Sequence, residues 1–430
     1  MCNGSENMIG NGYVNKIIEE DEFINLINKA LEKDNWKGKK VLLVLPDLTR
    51  SAPISLMYRT IYNKLKDQVD CVDGLIALGT HSALSMNKIF ERLGITEEEY
   101  NNTFSKKSKF YNHEWQSSDK LKKIGEISKD KVSEITNGII KENVSIVINN
   151  RIFEYDHLMV LGPVFPHEVV GFSGGNKYFF PGISGEDIIN MFHWLGAVIT
   201  NEVINGKKDT PVRKVLNYAA KFIDIPRTYF NVVVNYKKTH GLYIGDDVIA
   251  WGSAADLSAS INIKHVNRRY KKILGVAPKK YEDVWTAGKV AYKTETVLED
   301  GGDLIIYAPH ITEVSVMHGE IIEKIGYHVR DYYLKRMEQF SDIPGGIMAH
   351  STHVKGSGSF DNDIEKPRIN VILATGIPEE ICKKINLGYL NPDTIDFKDW
   401  KNKEDEGVLF IPEAGEVLYK FFPNLNNQED

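Results

Sequence analysis

The sequence predicts an α/β protein made of two α/β domains with mostly parallel, Rossmann-like sheets and a cleft between them. Three observations carry that expectation. Apolar runs such as Val41-Leu-Leu-Val-Leu45 and Leu158-Met-Val-Leu-Gly162 have the unbroken character of strands buried on both faces. They alternate with helical stretches, in the strand–helix–strand–helix order of a doubly wound sheet. The chain has 430 residues, 42% hydrophobic and 26% charged, which suits about two or three ordinary globular cores.

The elements follow in order. Residues 1–38 are peripheral, with a helix expected over Glu22–Lys33. A strand over Lys39–Pro46 ends in Asp47-Leu-Thr-Arg-Ser-Ala-Pro53, and a helix follows over Ile54–Lys66. Val72–His81 is a second strand ending in a Gly-Thr-His turn, and Ser85–Leu93 is the next helix. Asn101–Lys109 is polar and irregular, and Phe110-Tyr-Asn-His-Glu-Trp115 brings in His113. Residues 142–164 hold two strands separated by Asn149-Asn-Arg151. Tyr229–Tyr236 alternates well enough to pair antiparallel with Gly241–Gly245. Ala250–Arg269 has helical periodicity and ends in a basic cluster reaching Lys272, read as a solvated helix end. That helix connects a domain spanning 1–270 to one spanning 271–430. In the latter, strands are expected at Asp283–Gly288, Gly302–Pro309, Asn370–Gly376 and Gly407–Pro412.

Composition excludes several classes. A net charge of −6 and a pI near 6.1 offer nothing to nucleic acid or to an anionic membrane surface. Cys2, Cys71 and Cys382 are too dispersed, and odd in number, for a disulfide framework, so a reducing, cytoplasmic compartment is expected. Met1–Asn7 lacks the basic-then-apolar pattern of a signal peptide, and no run of about 18 apolar residues is long enough to span a membrane.

The chemistry concentrates between Pro166 and His193. Gly171, Gly174 and Gly175 lack a Cβ, so backbone amides there can approach an anion. Lys177 follows as an ammonium or a nucleophilic amine, and Ser184-Gly-Glu-Asp187 starts a helix that carries His193. Taken singly, a Gly-Gly turn or a lone lysine is usually structural. The density of the group makes it an anion or cofactor loop flanked by acid–base and ligand histidines. Asp47/Arg50, His81, His113 and the His167/Lys177/His193 group all follow strands whose C-termini share one sheet edge. No HExxH or GxGxxG is present. Gly171-Phe-Ser-Gly-Gly175 fits GxSxG outside a strand–turn–helix setting and is discounted.

Four motifs together resemble the nickel-dependent lactate racemases and related 2-hydroxyacid racemases and epimerases. They are Asp47-x-Thr-Arg50-x-x-Pro53, Gly79-Thr-His81, Asn112-His-Glu114 and Pro166-His-x-x-x-Gly-Phe-Ser-Gly-Gly-x-Lys177, with His193 at the family's spacing. The likeness covers most of the first domain and, more loosely, the second. It implies racemisation or epimerisation at the alpha carbon of a 2-hydroxyacid by hydride transfer to a nickel-pincer nucleotide, nickel pyridinium-3,5-bisthiocarboxylic acid mononucleotide. It further implies that Lys177 holds the nucleotide covalently and that His193 ligates the nickel. His113 and His167 become the catalytic acid–base pair. Asp47, Thr49, Arg50, His81, Ser173, Gly174 and Gly175 become cofactor-binding, with Arg50 also facing substrate. The enzymes that mature the cofactor are the implied protein partners.

The second domain departs from the lactate-specific pattern. The family's lactate enzymes carry a Tyr-Gln pair with a lysine three residues after the Gln. Here the matching run is Ala291-Tyr-Lys-Thr-Glu-Thr296. Tyr292 is kept, Lys293 replaces the Gln, and Thr296 stands where the lysine would be. Tyr292 and Lys293 are then the expected substrate contacts, and the polar run suits a sugar acid that could pair with it. The alternatives are a lactate racemase in the strict sense and a non-catalytic small-molecule binding protein. His310, His318, His328, His350 and His353 lack metal-ligand spacing and are expected to be structural or on the surface.

Overall fold

The structure, a computed structural model, describes residues 8–79 and 81–423. Met1–Asn7, including Cys2, Thr80 of the Gly-Thr-His motif and the tail Asn424–Asp430 lie outside the described residues. The chain divides into two compact units. The first comprises Met1–Pro166, Gly171–Ile189 and Lys208–Ile261; the second comprises His167–Val170, Asn190–Lys207 and Asn262–Asp430. The division differs from a single crossing at residue 270, because two short segments of the first half pack with the second.

The first unit is built on a seven-stranded sheet. Its order is Met8–Gly12, Lys238–Gly245, Arg227–Asn235, His157–Pro163, Lys40–Pro46, Cys71–Ala77, Phe110–Asn112. The last five strands are parallel, and the first two add antiparallel at one edge. Val41 to Leu45 are fully buried, which is why the central strand reads as an apolar run. Helix Ile54–Leu65 buries Met57, Tyr58, Ile61 and Leu65. Helix Met86–Leu93 starts where the Ser85 hydroxyl accepts the Lys88 N–H and stops at Gly94 in a left-handed conformation.

The path of the chain places the site. From Lys40–Pro46 it steps outward through Cys71–Ala77 to Phe110–Asn112. It then returns to His157–Pro163, on the other side of Lys40–Pro46. The connections reverse direction between these two central strands, so a crevice opens at their C-terminal ends.

The second unit has a five-stranded parallel sheet ordered Gly388–Tyr389, Asn370–Thr375, Leu298–Ala308, Tyr270–Val276, Val408–Ile411. Helix Gly345–Lys355 is buried from Ile347 through Lys355, so it is an interior helix with no solvent face over that span. No helix among the described residues is long and apolar enough to cross a membrane.

Four expectations need correction. Val144–Asn149 is a strand, but it pairs antiparallel with Leu121–Ile127 and stays out of the main sheet. Leu121-Lys-Lys-Ile-Gly-Glu-Ile127 is too polar to read as a strand, and only its partner reveals it. The helix after Ile249 ends at Asn262, and Lys264 and His265 lie in strand Ile263–Val266, parallel to Leu418–Phe421. The basic cluster therefore decorates strands, and its tail opens Tyr270–Val276, whose lysines hid a central strand. Asp283–Gly288 is a helical turn, because the Asp283 carboxylate accepts the Thr286 N–H at 2.9 Å and caps it.

Candidate functional site

In the first unit, Asp47 sits at the C-terminal end of the central strand, 5% exposed. Its Oδ1 accepts the Thr49 N–H at 3.1 Å and the Thr49 hydroxyl at 2.6 Å. Its Oδ2 pairs with Nδ1 of His81, which follows the neighbouring strand. Burial opposes ionisation of this carboxyl. His81, Arg50 and Thr49 together outweigh burial and hold it well below the usual carboxylate range. Arg50 lies over the Phe165 ring at 5.3 Å. The structure thus joins three predicted residues, Asp47, Thr49 and His81, with Arg50 beside them, at the crevice where the strand connections reverse.

His113 follows Phe110–Asn112 and is 1% exposed. Its Nε2 donates to the Ser184 carbonyl at 2.9 Å, and its Nδ1 accepts from the Asn149 amide at 3.1 Å. The Asn149 orientation follows from its Oδ1, which accepts the Arg151 N–H at 3.1 Å. Burial pushes the His113 pKa down to about 4, with the Ser184 carbonyl opposing. The ring is neutral at pH 7, and both nitrogens are occupied by protein groups.

The loop that follows strand His157–Pro163 carries Ser173, Gly174, Gly175 and Lys177. The Ser173 hydroxyl donates to the Pro163 carbonyl at 2.9 Å and accepts the Phe165 N–H at 3.0 Å, so it staples the loop to the strand end. Gly174 and Gly175 have φ of +76° and +58°, and Lys177 stands half-buried in the 3₁₀ turn Gly175–Tyr178.

The second unit gathers the other predicted residues. His167 is buried, and its Nδ1 accepts the Val169 N–H at 3.2 Å with the Glu168 carboxylate 3.4 Å away. His193 lies half-buried on helix Glu186–Ile199. Tyr292 and Lys293 are on helix Lys289–Thr294 and are buried, so this segment is no surface helix. Its polar side chains are largely spent inside the unit. Thr294 Oγ1 donates to the Val290 carbonyl at 2.7 Å and Thr296 Oγ1 to the Tyr419 carbonyl at 2.8 Å. Glu295 accepts from Ser357 N–H and hydroxyl at 2.6 and 2.7 Å. The Thr294, Glu295 and Thr296 side chains expected to face a sugar acid are thereby satisfied within the unit.

Several residues escaped the sequence reading. His350 and His353, each 5% exposed, face inward on helix Gly345–Lys355. His350 Nδ1 meets the Tyr292 hydroxyl at 2.7 Å, its Nε2 meets the Tyr327 hydroxyl at 3.1 Å, and its ring stacks on Trp285 at 4.0 Å. Burial first, then the neighbouring His353, His318 and His193, push its pKa well down. A buried helix hides the periodic signal that would have marked it. In the first unit, the half-buried Arg92 sends Nε to the Pro46 carbonyl at 3.3 Å and lies in the fields of Tyr178 and Asp47. Among the described residues no group of three or more His, Cys, Asp or Glu side chains gathers to hold a metal.

A doubly wound α/β sheet thus carries at its crevice a carboxylate–imidazole pair, an arginine and a glycine-rich loop that leads to a lysine. The chain is lactate racemase-like over its N-terminal part. Residues 13–205 match the family described as the lactate racemase N-terminal domain. A lactate racemase from Thermoanaerobacterium thermosaccharolyticum is 24% identical over 307 residues, spanning 67% of this chain and 66% of that relative, just short of two thirds. A crystal structure of a Thermotoga maritima protein is 31% identical, covers 95% of this chain and 100% of its own, and superposes with a TM-score of 0.87. The lactate racemase apoprotein from T. thermosaccharolyticum shares the fold, with 19% identity, 92% of each chain covered and a TM-score of 0.68.

Proposed function

We propose that this chain is a racemase or epimerase of 2-hydroxyacids that works with a nickel-pincer nucleotide attached at Lys177. The observation that carries the reading is the placement of that lysine. It stands three residues beyond Gly174 on the loop that leaves one of the two strands flanking the crevice. The residues present fit such a group. The two positive-φ glycines leave no Cβ to obstruct an anionic moiety, and Lys177 is the amine for a covalent link. Arg50, Asp47, Thr49 and His81 would wall it, and His193 would supply the imidazole for the nickel. When bound, such a group would supply a hydride acceptor for the substrate's alpha carbon.

The chain's own residues then handle the proton and the substrate. Burial keeps His113 neutral and therefore basic in kind, but it must release either the Ser184 carbonyl or the Asn149 amide before a ring nitrogen can take a hydroxyl proton. His167 is the proposed second member of the pair, with the Val169 N–H at its Nδ1. Tyr292 and Lys293 are the proposed substrate contacts, and the substrate is placed no more finely than a 2-hydroxyacid, with a sugar acid and lactate as the two arms of the test. A cytoplasmic site of action accords with the free thiols of Cys71 and Cys382. The occupied nitrogens of His113 favour one other reading, a binding protein of the same fold without turnover.

The test is co-expression with the cofactor's maturation enzymes, followed by metal analysis, intact mass and a panel of 2-hydroxyacids assayed for stereochemical inversion. Nickel, a mass increment that maps to Lys177 and inversion of at least one acid are expected. Loaded protein that inverts none supports the binding protein, and absence of both nickel and increment rejects the proposal.

A further inference from the structure

Arg213 lies on helix Pro211–Ala220 and is 3% exposed. Its guanidinium stacks over the Trp251 ring at 4.2 Å. It donates from Nη1 to the Gly174 carbonyl at 3.3 Å and from Nη2 to the Phe172 carbonyl. Trp251 Nε1 donates to the carbonyl between them, that of Ser173, at 2.8 Å. One stacked pair therefore holds three successive carbonyls. In a trans peptide the N–H points opposite to its C=O. The amides of Ser173, Gly174 and Gly175 are thus turned away from the pair. That of Ser173 meets the Phe165 carbonyl at 2.8 Å. Those of Gly174 and Gly175 lie on the side opposite the pair, where backbone amides can receive an anion.

Two further contacts tie this arrangement to Lys177. The Gly174 carbonyl gripped by Arg213 also accepts the Lys177 N–H at 3.3 Å. Asn176, between them, is pinned through its side chain by Tyr229, Asp247 and Asn217. Side chains at the glycines would break the fit. A Cβ on Gly175 would stand 2.9 Å from Trp251 Cδ1, and one on Gly174 would stand 2.5 Å from Val164 Cγ2. Burying a guanidinium on neutral carbonyls is costly, and an apolar side chain could fill the space at less cost. Burial pushes the Arg213 pKa down to about 9, with Asp247 opposing, so the charge survives at pH 7.

We propose that Arg213 and Trp251 are positioning residues for Lys177, holding the Phe172–Gly174 carbonyls to one side so that the lysine is presented and the Gly174 and Gly175 amides stay open to a phosphate monoester. The proposal rests on Lys177 being the anchor, and its test needs no cofactor. Lys177 in the purified chain is acetylated with an N-hydroxysuccinimide ester at fixed pH, and its rate is read by peptide mass spectrometry against exposed lysines. Arg213→Met keeps the stem over Trp251 and removes charge and donors; Arg213→Lys keeps the charge and one donor. The Lys177 rate should fall about threefold or more in R213M, because the released Phe172 and Gly174 carbonyls no longer fix the turn that presents the lysine. It should recover in R213K, while other lysines are unchanged. A Lys177 rate in R213M that stays level or rises overturns the proposal. So does an R213K no better than R213M, which would assign the side chain to packing. Should R213M fail to fold, Trp251→Phe, which removes the donor to the Ser173 carbonyl and shrinks the ring under Arg213, must slow Lys177 in the same direction. A chain that obeys these rates yet never acquires nickel on maturation removes the proposed function alone; a chain that acquires nickel on maturation, but whose lysine in the unloaded form ignores them, removes the clamp alone.

Discussion

Acid should weaken the first unit through His113, by an amount the structure allows one to work out. The ring is 1% exposed, and burial lowers its pKa from the ordinary 6.5 to about 4. The folded value lies below the unfolded one, so the unfolded chain binds the proton more readily. Stability from this residue is complete above pH 6.5 and is lost as the pH falls toward 4. At pH 5 the loss is about 2 kcal/mol, and below pH 4 it approaches about 3 kcal/mol. His113→Gln replaces the imidazole with a non-titrating amide that still offers one donor and one acceptor to Ser184 and Asn149. Peptide-resolved native-state hydrogen exchange over 110–115 and 144–149, at pH 7.5 and pH 5, reads the opening free energy of this unit directly. The wild type should lose about 2 kcal/mol more than H113Q between the two pH values. Parallel losses in the two proteins would refute the assignment. His157, also lowered to about 4 by burial, contributes in the same sense to both proteins and cancels in the comparison.

Three other outcomes are expected. Asp47→Asn should cost about 1–3 kcal/mol in urea unfolding at pH 7, since it removes the charged acceptor of His81. The folded Asp47 pKa is depressed, so its contribution is present above the unfolded value of about 3.9 and is lost as pH falls through the folded one; a D47N protein as acid-sensitive as the wild type would contradict this. Gly175→Ala places a side chain at φ +58° against Trp251 and should cost about 1–3 kcal/mol, seen as a lower melting temperature with altered tryptophan emission. Tyr292→Phe leaves His350 Nδ1 without its 2.7 Å partner in the second unit and should destabilise by about 1–3 kcal/mol in urea unfolding. In cofactor-loaded protein the same change should raise KM for the 2-hydroxyacid, and an unchanged KM would take Tyr292 out of the substrate contacts.

The two kinds of information divide along physical lines. Strand Lys40–Pro46, helix Ile54–Leu65 and the loop before Lys177 were legible in the sequence, because apolar runs, caps and glycines act within about ten residues of themselves. Residues that follow strand C-termini could be named for the same reason, since a parallel sheet brings those ends to one edge whatever its detailed order. What no local pattern carries is the partner across the sequence. The bond from Asp47 to His81, the grip of Arg213 and Trp251 on the glycine loop, and the pairing of polar Leu121–Ile127 with Val144–Asn149 are set by strand order and register. Burial had the same effect in the second unit. The sequence presents Thr294, Glu295 and Thr296 as free donors and acceptors and His350 as an isolated histidine. Only the folded chain shows that the first three are satisfied internally and that His350 bridges two buried tyrosines. A buried polar group must find a partner, and which partner it finds is decided by packing in three dimensions.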